Sequence, residues 1–194
     1  MAEEEAGEAL PVRVEVPPLS DEDFQVRQPV FDQIFAGFSA KGVKAKSIRE
    51  RKEAGLESQK SLTYSEIDFA LMNQILNTVK TNFGPLYEKG IFLDLGSGVG
   101  KACVAAALQH PFEKVVGVET LQILSDIAAS AVAERYQEAS WPSEDMPKPE
   151  LQLIKGDFVS EFEAHIEPIA AQVTVCFAVA TCYGEGEMRA IAMA

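Results

Sequence analysis

Apolar and polar positions follow two rhythms along this chain, and the change between them divides it. Between Pro29 and Phe38, the residues Phe31, Ile34, Phe35 and Phe38 fall at i, i+3, i+4 and i+7, which predicts a short amphipathic helix. Thr63-Tyr64-Ser65-Glu66 is spaced like a capping box. Ile67, Leu71, Ile75 and Val79, widened by Met72 and Leu76, give the helix it opens a buried face. Phe83-Gly84-Pro85 reads as a turn. Short apolar runs then alternate with helical patterns: strand 91–94, helix 101–110, strand 114–118, helix 120–138, strand 151–155, a short helix near 160–167, strand 173–177 and a last helix over 185–194. The stretch 141–149, with three prolines, is a loop. This alternation predicts an α/β fold, a parallel sheet with helices on both faces. The run Val173 to Ala180 reads as an interior strand, yet no partner strand follows it. An uncovered apolar edge is an aggregation liability, so the pattern predicts a sheet truncated after strand four or completed by a partner.

Charge sharpens the division. The chain has 194 residues, an apolar fraction of 47% and a net charge of −13, which bounds one domain plus a tail. Residues 1–28 are acidic and dotted with Pro11, Pro17 and Pro18, and are expected to form a disordered arm. Residues 29–60 hold the short helix and then a linker rich in lysine and arginine, with a balance of +4 over residues 41–60. Residues 61–194 carry −10 and form the main domain. A body so acidic repels phosphate, which argues against direct nucleic-acid binding by that domain. It suits either plain solubility or the attraction of a basic protein substrate. No apolar run approaches the roughly 18 residues a membrane span needs, and Met1-Ala-Glu-Glu-Glu is the opposite of a secretory leader. Cys103, Cys176 and Cys182 lie far apart, which fits a reducing intracellular compartment and gives structural zinc no support. With His110 and His165 as the only histidines, histidine-based metal or triad chemistry is not expected.

The chemistry concentrates where the first strand ends. Ile91 to Gly100 reads Ile-Phe-Leu-Asp-Leu-Gly-Ser-Gly-Val-Gly, and Glu119 closes the second apolar run 19 positions later. Three glycines at alternate positions let the backbone turn sharply and approach a ligand closely, at a strand-to-helix junction where open α/β sheets bind nucleoside-containing ligands. A dinucleotide fingerprint needs glycine where Lys101 stands. A phosphate-binding P-loop needs glycine at Leu95 and a hydroxyl at Ala102, and a nucleophile elbow does not allow Ser97 directly between two glycines. The remaining pattern, Asp-x-Gly-x-Gly-x-Gly, resembles motif I of the Rossmann-like methyltransferases that use S-adenosylmethionine. Glu119 can accept hydrogen bonds from ribose hydroxyls, by the logic that holds for dinucleotides. Gly156-Asp157-Phe158 closes a third strand, where Asp157 can accept from an adenine amino group and Phe158 can flank the base. The bland alternatives are a turn that binds nothing and an ordinary Gly-Asp turn.

Joined to the upstream run Ser61-Leu-Thr-Tyr64-Ser-Glu66-Ile-Asp-Phe-Ala-Leu-Met-Asn-Gln-Ile-Leu, these motifs resemble the non-SET histone-lysine methyltransferases of the disruptor-of-telomeric-silencing type, from about Ser61 onward. The resemblance implies a Rossmann-like class I fold, whose sheet has seven strands where four are read here, and S-adenosylmethionine as cofactor. It implies that Tyr64-Ser65-Glu66 covers the cofactor, that Asp94, Gly96, Ser97, Gly98, Gly100 and the adjoining Lys101 take its amino-acid end, that Glu119 holds the ribose, and that Asp157 and Phe158 hold the adenine. It further implies transfer of a methyl group to a core-histone lysine, with a histone or nucleosome as partner and the nucleus as location. Two positions depart from the family pattern: Lys101 replaces glutamine, and Val179 and Ala180 stand where the family has polar residues beside the reacting methyl. Thr181 and Tyr183 are then the candidate catalytic residues of that channel. Two alternatives stay open: a catalytically silent cofactor-binding protein, and a methyltransferase of a small molecule or another protein.

Overall fold

The apolar runs pair side by side. In the computed structural model, which describes residues 14–160 and 162–193, β1 (Ile91–Leu95), β2 (Lys114–Glu119), β3 (Glu150–Lys155) and β4 (Val173–Phe177) form one parallel sheet in the order β3-β2-β1-β4. Asp94 lies opposite Gly117 on one side and Phe177 on the other. Glu119 lies opposite Lys155. The carboxyl ends of all four strands therefore open on one rim. The chain winds outward from β1 to β3 and returns to place β4 on the far side of β1, which makes that rim beside β1 the switch point where α/β sheets bind ligands.

α4 (Lys101–Gln109) packs on β1 and β2, and every residue from Ala102 to Gln109 is buried. Its alanines permit close approach to the sheet, and α1 (Asp21–Ile34) and α3 (Phe69–Asn82) cover its outer side. The helical stretch after β2 consists of α5 (Gln122–Ile127), a π-helical turn over Ala128–Val132, and α6 (Ala133–Glu138). A π turn (Phe162–Ile166) and a 3-10 turn (Glu167–Gln172) lead into β4, and α7 (Glu185–Met193) follows it.

The amino-terminal third departs from expectation. Residues 1–13 of the expected disordered arm lie outside the described residues, but residues 14–28 are ordered. Glu15 bridges Tyr87, and Val16 N donates to Leu86 O at 2.9 Å. α1 spans Asp21–Ile34 and starts eight residues before the expected short helix, because the Ser20 side chain accepts from Asp23 N at 3.1 Å. Pro29 is inside this helix instead of opening it. Tertiary contacts offset the roughly 3 kcal/mol that an interior proline costs. Phe31 packs its ring at a tilt against Phe35 and Phe69, and buried Arg27 donates to Leu108 O at 3.1 Å and to Asp23 Oδ1 at 2.9 Å.

The basic linker is also a helix, α2 (Ala40–Glu53), capped by Ser39 and buried only at Val43 and Ser47. Two inward residues leave almost no apolar stripe to read in the sequence. α3 runs over Phe69–Asn82, with Asp68 as its cap, accepting from Leu71 N at 2.7 Å. The expected capping box from Thr63 is therefore absent. Its glutamate is used elsewhere, and the buried face is Phe69, Met72 and Leu76, while Leu71 is 46% exposed.

Candidate functional site

The glycine turn is held from below by the sheet. Gly96 N and Ser97 N both donate to Val118 O at 2.9 Å, and Gly100 N donates to Ser97 O at 2.8 Å. Gly96, Gly98 and Gly100 all have positive φ, at 92°, 58° and 85°, a region L side chains rarely adopt. Ser97 is buried with its side chain against Gly117, where any Cβ would meet it at 2.7 Å. Its contribution to the rim is therefore mainly backbone.

The turn is not bare above. A Cβ on Gly98 would lie 2.7 Å from the Tyr64 ring, and one on Gly96 would lie 2.7 Å from the Tyr183 hydroxyl. Two tyrosines thus rest on the glycines that sequence reasoning left open for a ligand. Tyr64 donates to Glu66 Oε1 at 2.7 Å, and Lys101 Nζ donates to Glu66 Oε2 at 2.5 Å while lying 5.6 Å from the Phe35 ring centre. Burial pushes the Tyr64 phenol well above its ordinary range, with Glu66 adding to the effect. This network explains why Glu66 does not cap α3. It pins the 63–67 segment to the first residue of α4.

Carboxylates mark three strand tips. Glu119 is 8% exposed, and its Oε2 accepts from Gly98 N and its Oε1 from Leu121 N, each at 2.7 Å. Burial raises its pKa above the ordinary carboxylate value, and those two N–H groups oppose the rise. Asp94, 2% exposed, accepts a long 3.7 Å hydrogen bond from the Cys103 thiol. Burial pushes Asp94 up to about 7, opposed by Cys103 and reinforced by Glu119. Asp157 is exposed, and its Oδ1 accepts from Val159 N at 2.9 Å and Ser160 N at 3.2 Å, which fixes the carboxylate at the β3 tip. Phe158 stacks on Tyr183 with ring centres 6.0 Å apart and planes at 28°.

Two adjoining cavities gather these groups. The larger encloses about 850 Å³ of empty space, partly open to solvent, and is lined by Tyr64, Gly96, Glu119, Asp157, Phe158 and Tyr183 among others. The smaller, about 290 Å³, is lined by Glu66, Asp94, Gly96, Ser97 and Lys101. Val179, 38% exposed, lines both. Of the expected residues, Gly98 and Gly100 shape the turn from within, and the side chain of Thr181 lies outside those described. Tyr183 is placed at the Gly96 and Phe158 wall, where it donates to Leu95 O at 2.8 Å. Sequence reasoning missed Leu62, Thr120, Leu121 and Leu124 on the wall of the larger cavity, residues with no distinctive signal of type or spacing.

The fixed acids at the strand tips and the Cβ-free turn suit a nucleoside carrying a cationic amino-acid group. Among the described residues no cluster of three metal-ligating side chains occurs, and no helix is long and apolar enough to cross a membrane.

Among solved structures, the plantazolicin methyltransferase BamL in complex with a triazolic desmethylPZN analog and SAH is similar over 75% of this chain and 42% of its own, at 11% identity and a TM-score of 0.33. The plantazolicin methyltransferase BpumL in complex with SAH is similar over 75% of this chain and 44% of its own, at 14% identity and a TM-score of 0.30. The chain thus spans less than half the length of either structure. No curated protein matches it. Residues 46–191 match the family model described as histone methylation protein DOT1, a stretch that runs from the basic helix through every motif of the rim, so the chain belongs to the DOT1 histone methylation family.

Proposed function

We propose that this chain binds S-adenosylmethionine at the β1–β3 rim and transfers its methyl group to a protein lysine, with a core histone as the substrate class. The observation that carries the reading is the buried Glu119 carboxylate, held by Gly98 N and Leu121 N on the wall of a cavity that also contains Asp157 and Phe158. In this arrangement Glu119 receives the ribose hydroxyls, Asp157 and Phe158 receive the adenine, and Asp94 with the glycine turn receives the amino-acid end. Tyr64, pinned through Glu66 to Lys101, closes over the turn.

When bound, the cofactor supplies an electrophilic methyl group on a sulfonium. The chain's part is to align and desolvate the acceptor. Val179 and Phe177 form an apolar margin on the smaller cavity. Removing water from a lysine ammonium there lowers its pKa and favours the neutral nucleophile. The negative body attracts a basic polypeptide at long range, and nuclear localisation follows from the same reading.

Val179 also favours a second reading. Its side chain cannot accept a hydrogen bond from an amine, so the chain binds the cofactor without turning it over. Calorimetry with S-adenosylhomocysteine, joined to transfer of labelled methyl to nucleosomes, free core histones and small amines, separates the two. Binding with transfer to histones supports the first reading, binding without transfer to any acceptor supports the second, and absence of binding removes both.

A further inference from the structure

The helical stretch that begins with α5 starts directly after the ribose acid, and its first backbone donors go to two carboxylates from distant parts of the chain. Leu121 N donates to Glu119 Oε1 at 2.7 Å. Gln122 N donates to Glu50 Oε1 at 2.7 Å, and Ile123 N donates to Glu50 Oε2 at 2.8 Å. Glu50 lies on α2, in the stretch read from sequence as a basic linker, between Arg49 and Arg51. Both of its oxygens are occupied by a helix more than 70 residues away in sequence. Carboxylates at a helix amino end are favoured by the unsatisfied N–H groups and by the helix dipole. Here the two carboxylates serve different sides. Glu119 lines the larger cavity, and Glu50 is not among its lining residues.

We propose that Glu50 is a positioning residue for ribose recognition. By holding Gln122 N and Ile123 N, it fixes the start of α5 so that Leu121 N stays on the Glu119 carboxylate. Glu119 then keeps both anchors and presents its remaining acceptor capacity to ribose hydroxyls in a set orientation. Without Glu50, the first turn of α5 turns its donors to water, Leu121 N leaves Glu119, and the acid is held by Gly98 N alone. The inference rests on the reading of Glu119 as the ribose acceptor. It also explains a feature of α2 that its own packing does not: the helix buries only Val43 and Ser47, yet it is tied to the cofactor rim through one glutamate.

A purely structural cap and a positioning residue differ in what they change. The test is calorimetry on the full chain with S-adenosylhomocysteine and with its 2′,3′-dideoxy analogue, which lacks the hydroxyls. Glu50→Gln is expected to weaken S-adenosylhomocysteine about tenfold while shifting the analogue by less than about twofold, as loss of one charge-assisted anchor implies. Ser20→Ala, which removes the cap of α1, is expected to lower the melting temperature without moving the ratio of the two affinities. In a Glu119→Ala background, Glu50→Gln is expected to make no further difference, because the residue it positions is gone. An unchanged ratio in Glu50→Gln, or losses that simply add in the double variant, overturns the inference while leaving the cofactor site intact. If the unmodified chain does not bind S-adenosylhomocysteine, or binds it no better than the analogue, the reading of Glu119 falls and the inference falls with it.

Discussion

The β1–α4 unit and the β4 end meet at one rim but are built to different standards. All five residues of β1 are buried, as is every residue of α4 after Lys101. β4 is buried only at Val175, with Thr174 and Cys176 exposed. The first region holds the glycine turn, Asp94 and, through β2, Glu119. The second contributes Val179 and Tyr183 to the cavity walls. β3, at the other edge, has no buried residue, so burial on this sheet follows the two central strands, β1 and β2.

The strongest test of the contrast is Phe92→Ala. Phe92 is fully buried, with its ring centre 5.6 Å from Phe112 and 6.1 Å from Phe177, so its loss should cost about 3–5 kcal/mol in chemical denaturation. A loss near 1 kcal/mol would mean that the β1 side is no better packed than β4.

Two of the buried titratable groups of the first region, His110 and Asp94, have opposite signs. Burial lowers His110 from 6.5 to about 4, so its contribution to stability is complete above pH 6.5 and is lost as pH falls toward 4. Burial raises Asp94 from 3.8 to about 7, so its contribution is complete below pH 3.8 and is lost as pH rises toward 7. Over pH 4–6.5 the two slopes oppose each other, amounting to about 3 kcal/mol for His110 and about 4 kcal/mol for Asp94 across their windows. Asp94→Asn is expected to remove one slope, leaving a melting temperature that falls more steeply with acid than in the unmodified chain. Identical pH profiles for the two proteins would refute the assignment.

Glu119→Ala should weaken S-adenosylhomocysteine by about 1–3 kcal/mol, the value of a hydrogen bond to a charged group, and unchanged affinity would remove it from the site. Lys101→Met leaves Glu66 with Tyr64 as its remaining partner and should cost about 1–2 kcal/mol, read as faster amide exchange in residues 63–67. At the low end, Cys176→Ser on the exposed side of β4 should stay within about 0.5 kcal/mol. A larger loss would show that β4 is as tightly held as β1.

The parallel sheet and its helices were legible because each strand is a short apolar run and each crossover a longer helical pattern, and those periods survive in any context. The rim was legible because three left-handed backbone positions require glycine and the acids fall at strand ends. The amino-terminal third was not. α2 buries so little that its sequence reads as charge alone, and Arg27 is buried through a carbonyl of α4 that no local pattern reveals. Thr63 to Glu66 has the spacing of a capping box, but Asp68 sits closer to the apolar residues of α3 and caps it, while Glu66 pairs with Lys101 across the site.

The sequence by itself determined the α/β class, the parallel sense of the sheet, and the glycine turn with acids at the strand ends, because backbone conformation and side-chain period are local properties of residue type. Only the tertiary structure decided that two tyrosines rest on the glycines, that burial pushes Asp94 up to about 7, and that Glu50 caps the helix beside Glu119. These depend on which distant groups come within hydrogen-bonding reach and how much water is excluded with them, and neither is encoded in any short stretch of chain.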